Sequence, residues 1–205
     1  MIHRNRTTHM SVRPIYLFGS DVLRQKAKPV KELNDTVMRL IVDMVHTMHK
    51  ANGIGLAANQ VGELRRVLVI DLAAVEEAEE EPTDENAEKK PRTEKTLIAI
   101  NPEIVHQEGS WKMEEGCLSI PDLRADVERA EKARVRFRDG NFDEVELEIE
   151  GIFARVLLHE FDHLNGVLFI DHLTKTKRSL MKPKLQRIKK GDVETSYPVA
   201  TGAED

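Results

Sequence analysis

Between Asn34 and Lys50 the apolar positions Val37, Leu40, Ile41, Met44, Val45 and Met48 recur at helical spacing and form a single stripe. Asn34 is placed to cap this helix and Asn52-Gly53 to stop it, and the methionines in the stripe read as core packing. Upstream, Ser20 is expected to cap a short helix through Lys26, closed by Pro29. The small-residue run from Gly53 to Gln60 is expected to be a loop. Arg66–Asp71 (RVLVID) then reads as a buried strand, and Thr96–Ile100 as a second one ended by Asn101-Pro102.

From Ile104 to Glu150 the texture is that of β structure. Arg134–Arg138 and Val145–Glu150 alternate polar and apolar residues around Asp139-Gly140-Asn141, which describes a hairpin with one wet face. Gly151 opens a second periodic helix, with Ile152, Val156, Leu157, Phe161 and Leu164 facing a core and Asn165-Gly166 ending it. Val167–Ile170 is expected as a last short strand. Thr174–Lys190 reads as a basic, partly amphipathic helix that Pro183 interrupts or restarts, and the tail after Gly191 as frayed. Strands that precede and flank one central helix define an α+β class.

The length of 205 residues suits one domain. That domain is expected over residues 10–190, with 191–205 as a C-terminal tail. Residues 1–9 carry no periodic pattern and read as a leader or expression remnant, with Met10 an alternative start. Residues 73–95 are rich in Glu and Lys and hold no large apolar side chain beyond Val75, so a flexible charged insertion is expected there. A net charge of −5 excludes a globally basic nucleic-acid binder, and one Trp with two Tyr argues against a base-stacking surface. The single cysteine forbids an internal disulfide. No run is long enough for a membrane span, and no apolar stretch follows the basic N-terminus as in a secretory signal. A cytoplasmic protein with no membrane partner is the resulting expectation.

Candidate chemistry concentrates in His159-Glu-Phe-Asp-His163. Side chains at i and i+4 of a helix stand one turn apart on one face, so two imidazoles can grip one ion while Glu160 reaches an adjoining water. Two surface histidines would leave the same pattern, but apolar residues on both sides put this pair at a core boundary. A catalytic mononuclear site needs a third protein ligand. Cys117 is a candidate; the alternative for a lone cysteine is a small buried apolar side chain. The glycine-rich run before Gln60 lacks the third glycine and preceding strand of a dinucleotide site. Its small residues instead let backbone approach a ligand, with the Gln60 amide as a donor.

In chain order, Gly53-Ile-Gly-Leu-Ala-Ala-Asn-Gln60, Glu115-Gly-Cys-Leu-Ser119 and His159-Glu-Phe-Asp-His163 resemble the three motifs of the bacterial and organellar peptide deformylases. The resemblance extends from Pro14 to Leu173. It implies a compact α+β fold, with antiparallel sheets around a central HExxH helix, N-terminal helices and a C-terminal helix. It further implies metal-dependent removal of the formyl group from the N-terminal formyl-methionine of nascent polypeptides. Cys117, His159 and His163 would be the ligands of one divalent ion, Fe²⁺ in the cell, with Zn²⁺, Ni²⁺ or Co²⁺ as substitutes. Glu160 would move the proton, and Gln60 with the backbone N–H of Leu118 would hold the oxyanion. Ile54, Gly55, Glu115, Arg124, Ile152, Arg155 and Val156 would border the substrate, Arg155 through its alkyl stem. Asp162 pairs with Arg129 or is a solvated helix charge. The stretch Lys175–Lys190 docks at the ribosome exit region or is simply a solvated helix, and the protein is expected to be a monomer.

Two other readings compete on sequence grounds. HExxH also marks zinc endopeptidases, although no downstream carboxylate or third histidine stands in the usual place. A metal-binding protein without catalysis would share the ligands but would not need Glu160 or Gln60.

Overall fold

The computed structural model describes residues 10–80 and 95–202. The expected leader, residues 1–9, lies outside them. In chain order the elements are β1 (Ile15–Tyr16), α1 (Asp35–Lys50), β2 (Gly55–Ala57), β3 (Val67–Asp71), α2 (Leu72–Glu79), β4 (Thr96–Glu108), β5 (Trp111–Cys117), β6 (Ile120–Arg129), β7 (Lys132–Arg138), β8 (Glu144–Glu150), α3 (Gly151–Leu164), α4 (Lys175–Lys189) and β9 (Val199–Ala200). Short 3-10 turns occupy Asp21–Arg24, Ala58–Val61 and Phe169–His172.

The strands form a five-stranded sheet in the order β2-β3-β4-β7-β8, a β5-β6 hairpin and a small β1-β9 pair. All pairings in the first two sheets are antiparallel, while β1 and β9 run parallel. Helix α3 packs against the large sheet, where Ala154, Leu157 and Leu158 join Leu68, Val135, Phe137 and Ile149 in one apolar cluster. On its other side it meets the β5-β6 hairpin through the site described below. The class is therefore α+β, with antiparallel sheets around a central helix. No helix among the described residues is long and apolar enough to cross a membrane.

Several elements follow their local chemistry. The Asn34 side chain accepts from the Val37 amide at 3.1 Å and starts α1, whose stripe enters a second core with Leu56, Val67 and Val69. The β7-β8 hairpin pairs in one unbroken register from Lys132–Glu150 to Arg138–Glu144, with arginines facing glutamates on the wet side. Gly166 adopts φ +75° after α3, where a side chain would strike the Arg24 carbonyl.

Other elements differ from expectation. The stretch read as a flexible insertion begins as ordered helix α2: Asp71 accepts from the Ala73 and Ala74 amides, and Ala73, Ala74 and Val75 are buried. Alanine and glutamate are strong helix formers, and small side chains let the helix lie close to α3. Residues 81–94 lie outside the described residues. The run Gly53–Gln60 is not a loop; it contains β2 and a 3-10 turn. Strand β4 does not stop at Asn101-Pro102 but passes through it. Asn101 takes φ +54° at a register shift, and its side chain bonds both backbone groups of Val30.

Ser20 precedes only a 3-10 turn and makes no capping bond. The expected strand Val167–Ile170 is replaced by the Phe169–His172 turn. Helix α4 continues through Pro183, which lies on its exposed side; the carbonyl Pro183 leaves unpaired belongs to exposed Ser179, within reach of water. The tail is not frayed over the described residues, because β9 pairs with β1 and so extends the domain past residue 190.

Candidate metal centre and peptide cleft

Strand β5 alternates, and its inward phase carries Trp111, Met113, Glu115 and Cys117. Glu115 and Cys117 are therefore neighbours on one face, directed at α3. On α3, Arg155, His159 and His163 succeed one another at i, i+4, so three polar side chains face the hairpin from successive turns. The Cys117 sulfur and one nitrogen from each of His159 and His163 lie within 4.8 Å of one another. Sγ of Cys117 stands 3.2 Å from Nε2 of His163.

The His159 ring is oriented through its far nitrogen. Nδ1 of His159 lies 3.0 Å from Oε2 of Glu115, so that nitrogen donates to the carboxylate and Nε2 is left for a ligand. Glu115 is itself held by Arg129 at 2.6 and 3.0 Å and by Arg155 at 2.7 Å. Burial works against its charge, yet the hydrogen bonds from His159 and Arg129 hold its carboxyl well below the usual range. Arg129 also reaches Asp162 at 2.7 Å, and Asp162 accepts from His172 at the same distance. Asp162 thus pairs with Arg129, the first of the two alternatives open for it, and His172 belongs to this support instead of the donor set.

Burial disfavours charge on His159, but the Cys117 sulfur and the Glu115 carboxylate together push the imidazole up to about 10. Burial and the neighbouring His159 drive His163 well below its ordinary value. One thiol sulfur and two imidazoles, one fixed through its far nitrogen, make a donor set suited to a single first-row divalent cation.

Gln60 is fixed in the turn after β2. Its carbonyl accepts from the Ala57 amide at 2.8 Å, which turns the NH₂ group toward Cys117 Sγ (3.6 Å) and Ser119 Oγ (3.4 Å). Glu160 is buried next to β2. A Cβ on Gly55 would sit 2.7 Å from Oε1 of Glu160, so only glycine leaves room for that carboxylate. Among the described residues Oε2 of Glu160 is buried without a hydrogen-bond partner, and burial pushes the carboxyl up to about 7 against the pull of His159 and Arg129.

A cleft of about 520 Å³ opens over this set. Gln60, Cys117, Leu118, His159 and Glu160 line it together with Ile54, Gly55, Glu115, Arg124, Ile152, Arg155 and Val156, which brings every residue expected at the site except buried His163 to one wall or another. The Arg155 guanidinium does not point into open space; it bonds Glu115 and the Val127 and Trp111 carbonyls, leaving its stem toward the cleft. Arg124 stands exposed at the rim, 3.9 Å from Glu114.

A polypeptide deformylase family profile matches residues 12–179. The chain belongs to this family. It is 45% identical to a peptide deformylase of Salinibacter ruber over 93% of this chain and 95% of that one. It is 43% identical to one of Chlorobaculum parvum over 94% and 96%. Among solved structures, a peptide deformylase from Legionella pneumophila superposes with a TM-score of 0.75 at 37% identity, covering 89% of this chain and 98% of that one. One from Ehrlichia chaffeensis in complex with actinonin gives 0.74 at 32%, covering 90% and 100%. The family assignment makes this chain a metal-dependent hydrolase that removes the N-formyl group of nascent peptides.

Sequence reading missed the clamp on Glu115 and the tail residues Glu194–Tyr197, which also line the cleft. The Tyr197 hydroxyl donates to the Leu118 carbonyl at 2.9 Å, and burial, with Cys117 and Asp122 nearby, pushes its pKa up to about 12. The clamp had a signal. On β6 the inward phase runs Leu123, Ala125, Val127, Arg129, and a guanidinium on an apolar face calls for a buried anion.

Proposed function

We propose that Cys117, His159 and His163 hold one divalent ion, Fe²⁺ in the cell, and that this set removes formyl from N-terminal formyl-methionine. The observation that carries this reading is the convergence of one sulfur and two imidazole nitrogens beside the buried, half-satisfied carboxylate of Glu160. A bound ion supplies Lewis-acid activation of water and polarises the carbonyl under attack. Glu160 takes the proton of the attacking water and delivers it to the departing amine. With its carboxyl raised toward neutrality, Glu160 can perform both transfers near pH 7.

The Gln60 NH₂ and the Leu118 backbone N–H stabilise the oxygen that gains charge as the formyl carbon becomes tetrahedral. The methionine side chain enters the slot of Ile54, Ile152, Val156 and the Arg155 stem, with Glu115 at its floor. Gly55 pairs with extended substrate backbone, and Arg124 steadies the peptide at the rim. Zn²⁺, Ni²⁺ or Co²⁺ can replace iron at a sulfur–imidazole set. The residues 10–202 work as one catalytic unit, a cytoplasmic monomer, and the basic face of α4 approaches phosphate-rich RNA at the ribosome exit region.

Anaerobic turnover of formyl-Met-Ala with parallel metal analysis tests the core of this reading. One equivalent of metal with rapid release of formate is expected. A fully loaded, folded protein that releases no formate, or cleaves only internal peptide bonds, would overturn it.

A further inference from the structure

The turn after Cys117 is held from outside the catalytic helix. The Leu118 carbonyl accepts from Tyr197, 79 residues further along the chain, at 2.9 Å. The next carbonyl, of Ser119, accepts from the Phe18 amide at 2.8 Å. Phe18 lies two residues past β1, which holds the tail: the Ile15 amide donates to the Pro198 carbonyl at 2.9 Å and the Leu17 amide to the Ala200 carbonyl at 2.8 Å. Within the tail the Thr195 hydroxyl donates to the Tyr197 carbonyl at 2.7 Å, which sets the bend that presents the phenol. Tail and β1 therefore act as one strap across Leu118-Ser119. Residues 194–197 also line the cleft, and they lie beyond the stretch matched by the family profile.

We propose that Glu194–Tyr197 is a positioning and specificity element of the deformylation reaction, in which the Tyr197 hydroxyl fixes the Leu118-Ser119 turn and the segment forms the wall met by the residue after methionine. The inference rests on the function proposed above. An amide N–H is a useful oxyanion donor only when its orientation is fixed before charge develops. The Leu118 N–H lies in the peptide plane shared with Cys117, and holding the next two carbonyls, of Leu118 and Ser119, limits the φ and ψ through which that plane could turn away. An extended peptide projects successive side chains to opposite sides. With methionine in the slot on α3, the next side chain leaves that slot and faces the part of the cleft that the tail lines. Tyr197 acts through Leu118 and through shape, not on the reacting atoms.

Two full-length, metal-loaded variants test this. Tyr197→Phe removes one hydroxyl and is expected to lower kcat about 2–10-fold, the scale of one lost hydrogen bond, with KM for formyl-Met-Ala changed less than about twofold. Backbone amide exchange should quicken at Leu118–Ile120 and nowhere else. Tyr197→Ala should shift the ratio of kcat/KM for formyl-Met-Trp over formyl-Met-Ala by about threefold or more in favour of the bulky residue. Parental kcat and amide exchange in the Phe variant, together with a parental ratio in the Ala variant, would overturn the proposal, even if both variants melted earlier. If the parent protein itself releases no formate from formyl-Met-Ala, the function on which the inference stands has failed instead.

Discussion

The Glu115 carboxylate stands 3.0 Å from Nδ1 of His159, although 44 residues separate them. That contact decides which nitrogen of His159 faces the donor set, and two buried arginines hold the carboxylate that makes it. Glu115→Gln removes the anion while leaving both guanidinium groups in place. Metal affinity, measured by chelator competition, should fall about 10–100-fold, the usual consequence of disturbing a ligand's own support. Thermal stability should fall as well, because Arg129 and Arg155 lose a common partner. Unchanged affinity would show that ring orientation does not depend on Glu115.

Glu160 makes the opposite prediction. Among the described residues its Oε2 is buried with no hydrogen-bond partner, an arrangement that costs stability. Glu160→Ala should keep one equivalent of metal, lower kcat by at least about 10²-fold, and melt no earlier than the parent. Loss of metal together with activity would mean that Glu160 supports the ion instead of moving protons.

Gly55 and Glu160 should be coupled. A Cβ at residue 55 would meet Oε1 and Cγ of Glu160 at 2.7 and 2.8 Å. Gly55→Ala should therefore displace the carboxylate and cost activity in the parent. In a Glu160→Ala background the same substitution should cost markedly less stability, since its obstacle is gone. A double-mutant cycle of melting temperatures reads the difference directly; strict additivity would refute the steric account.

Much of this site was legible in sequence because its chemistry follows regular periods. His159 and His163 share a helix face by i, i+4 spacing, and the stripe of α1 and the alternation of β7 and β8 follow equally simple rules. What stayed hidden depended on long-range partners. Strand β4 crosses Asn101-Pro102 because Val30 supplies hydrogen bonds from a distant segment. The tail strand Val199–Ala200 forms because β1 offers an edge, and two residues are too short to give a local sign of it. Acidic composition in 73–80 hid a helix whose buried residues are two alanines and Val75.

Metal removal has a clean chemical readout because Cys117 is the only cysteine. With the ion present, the thiolate is engaged and should resist alkylation; after chelation it should react with iodoacetamide. The metal-free protein should also melt earlier, since an ion held with free concentration about 1,000-fold above Kd stabilises the fold by about 4 kcal/mol. Equal alkylation rates with and without metal would remove Cys117 from the ligand set.

The start of the catalytic helix offers a last test, far from the ion. Glu150, at the N-cap position of α3, makes no side-chain capping bond, and the Ile152 amide donates instead to Oε1 of Glu79 at 3.2 Å. Helix α2 therefore caps α3 from a separate segment, with the added benefit of a negative charge at a helix N-terminus. Glu79→Ala should lower the melting temperature by about 2–4 °C, as for loss of an ordinary cap in a domain of this size. Glu79→Gln keeps an acceptor and should recover most of that loss, the remainder reporting the charge–dipole share. Because α3 carries His159, Glu160 and His163 but is anchored along its length by the large sheet, kcat at 25 °C should change less than about twofold, within the few tenths of a kcal/mol that separate distant, independent sites. A large drop in kcat with parental stability would mean that α2 positions the catalytic groups, and that the end of the helix is felt at its centre.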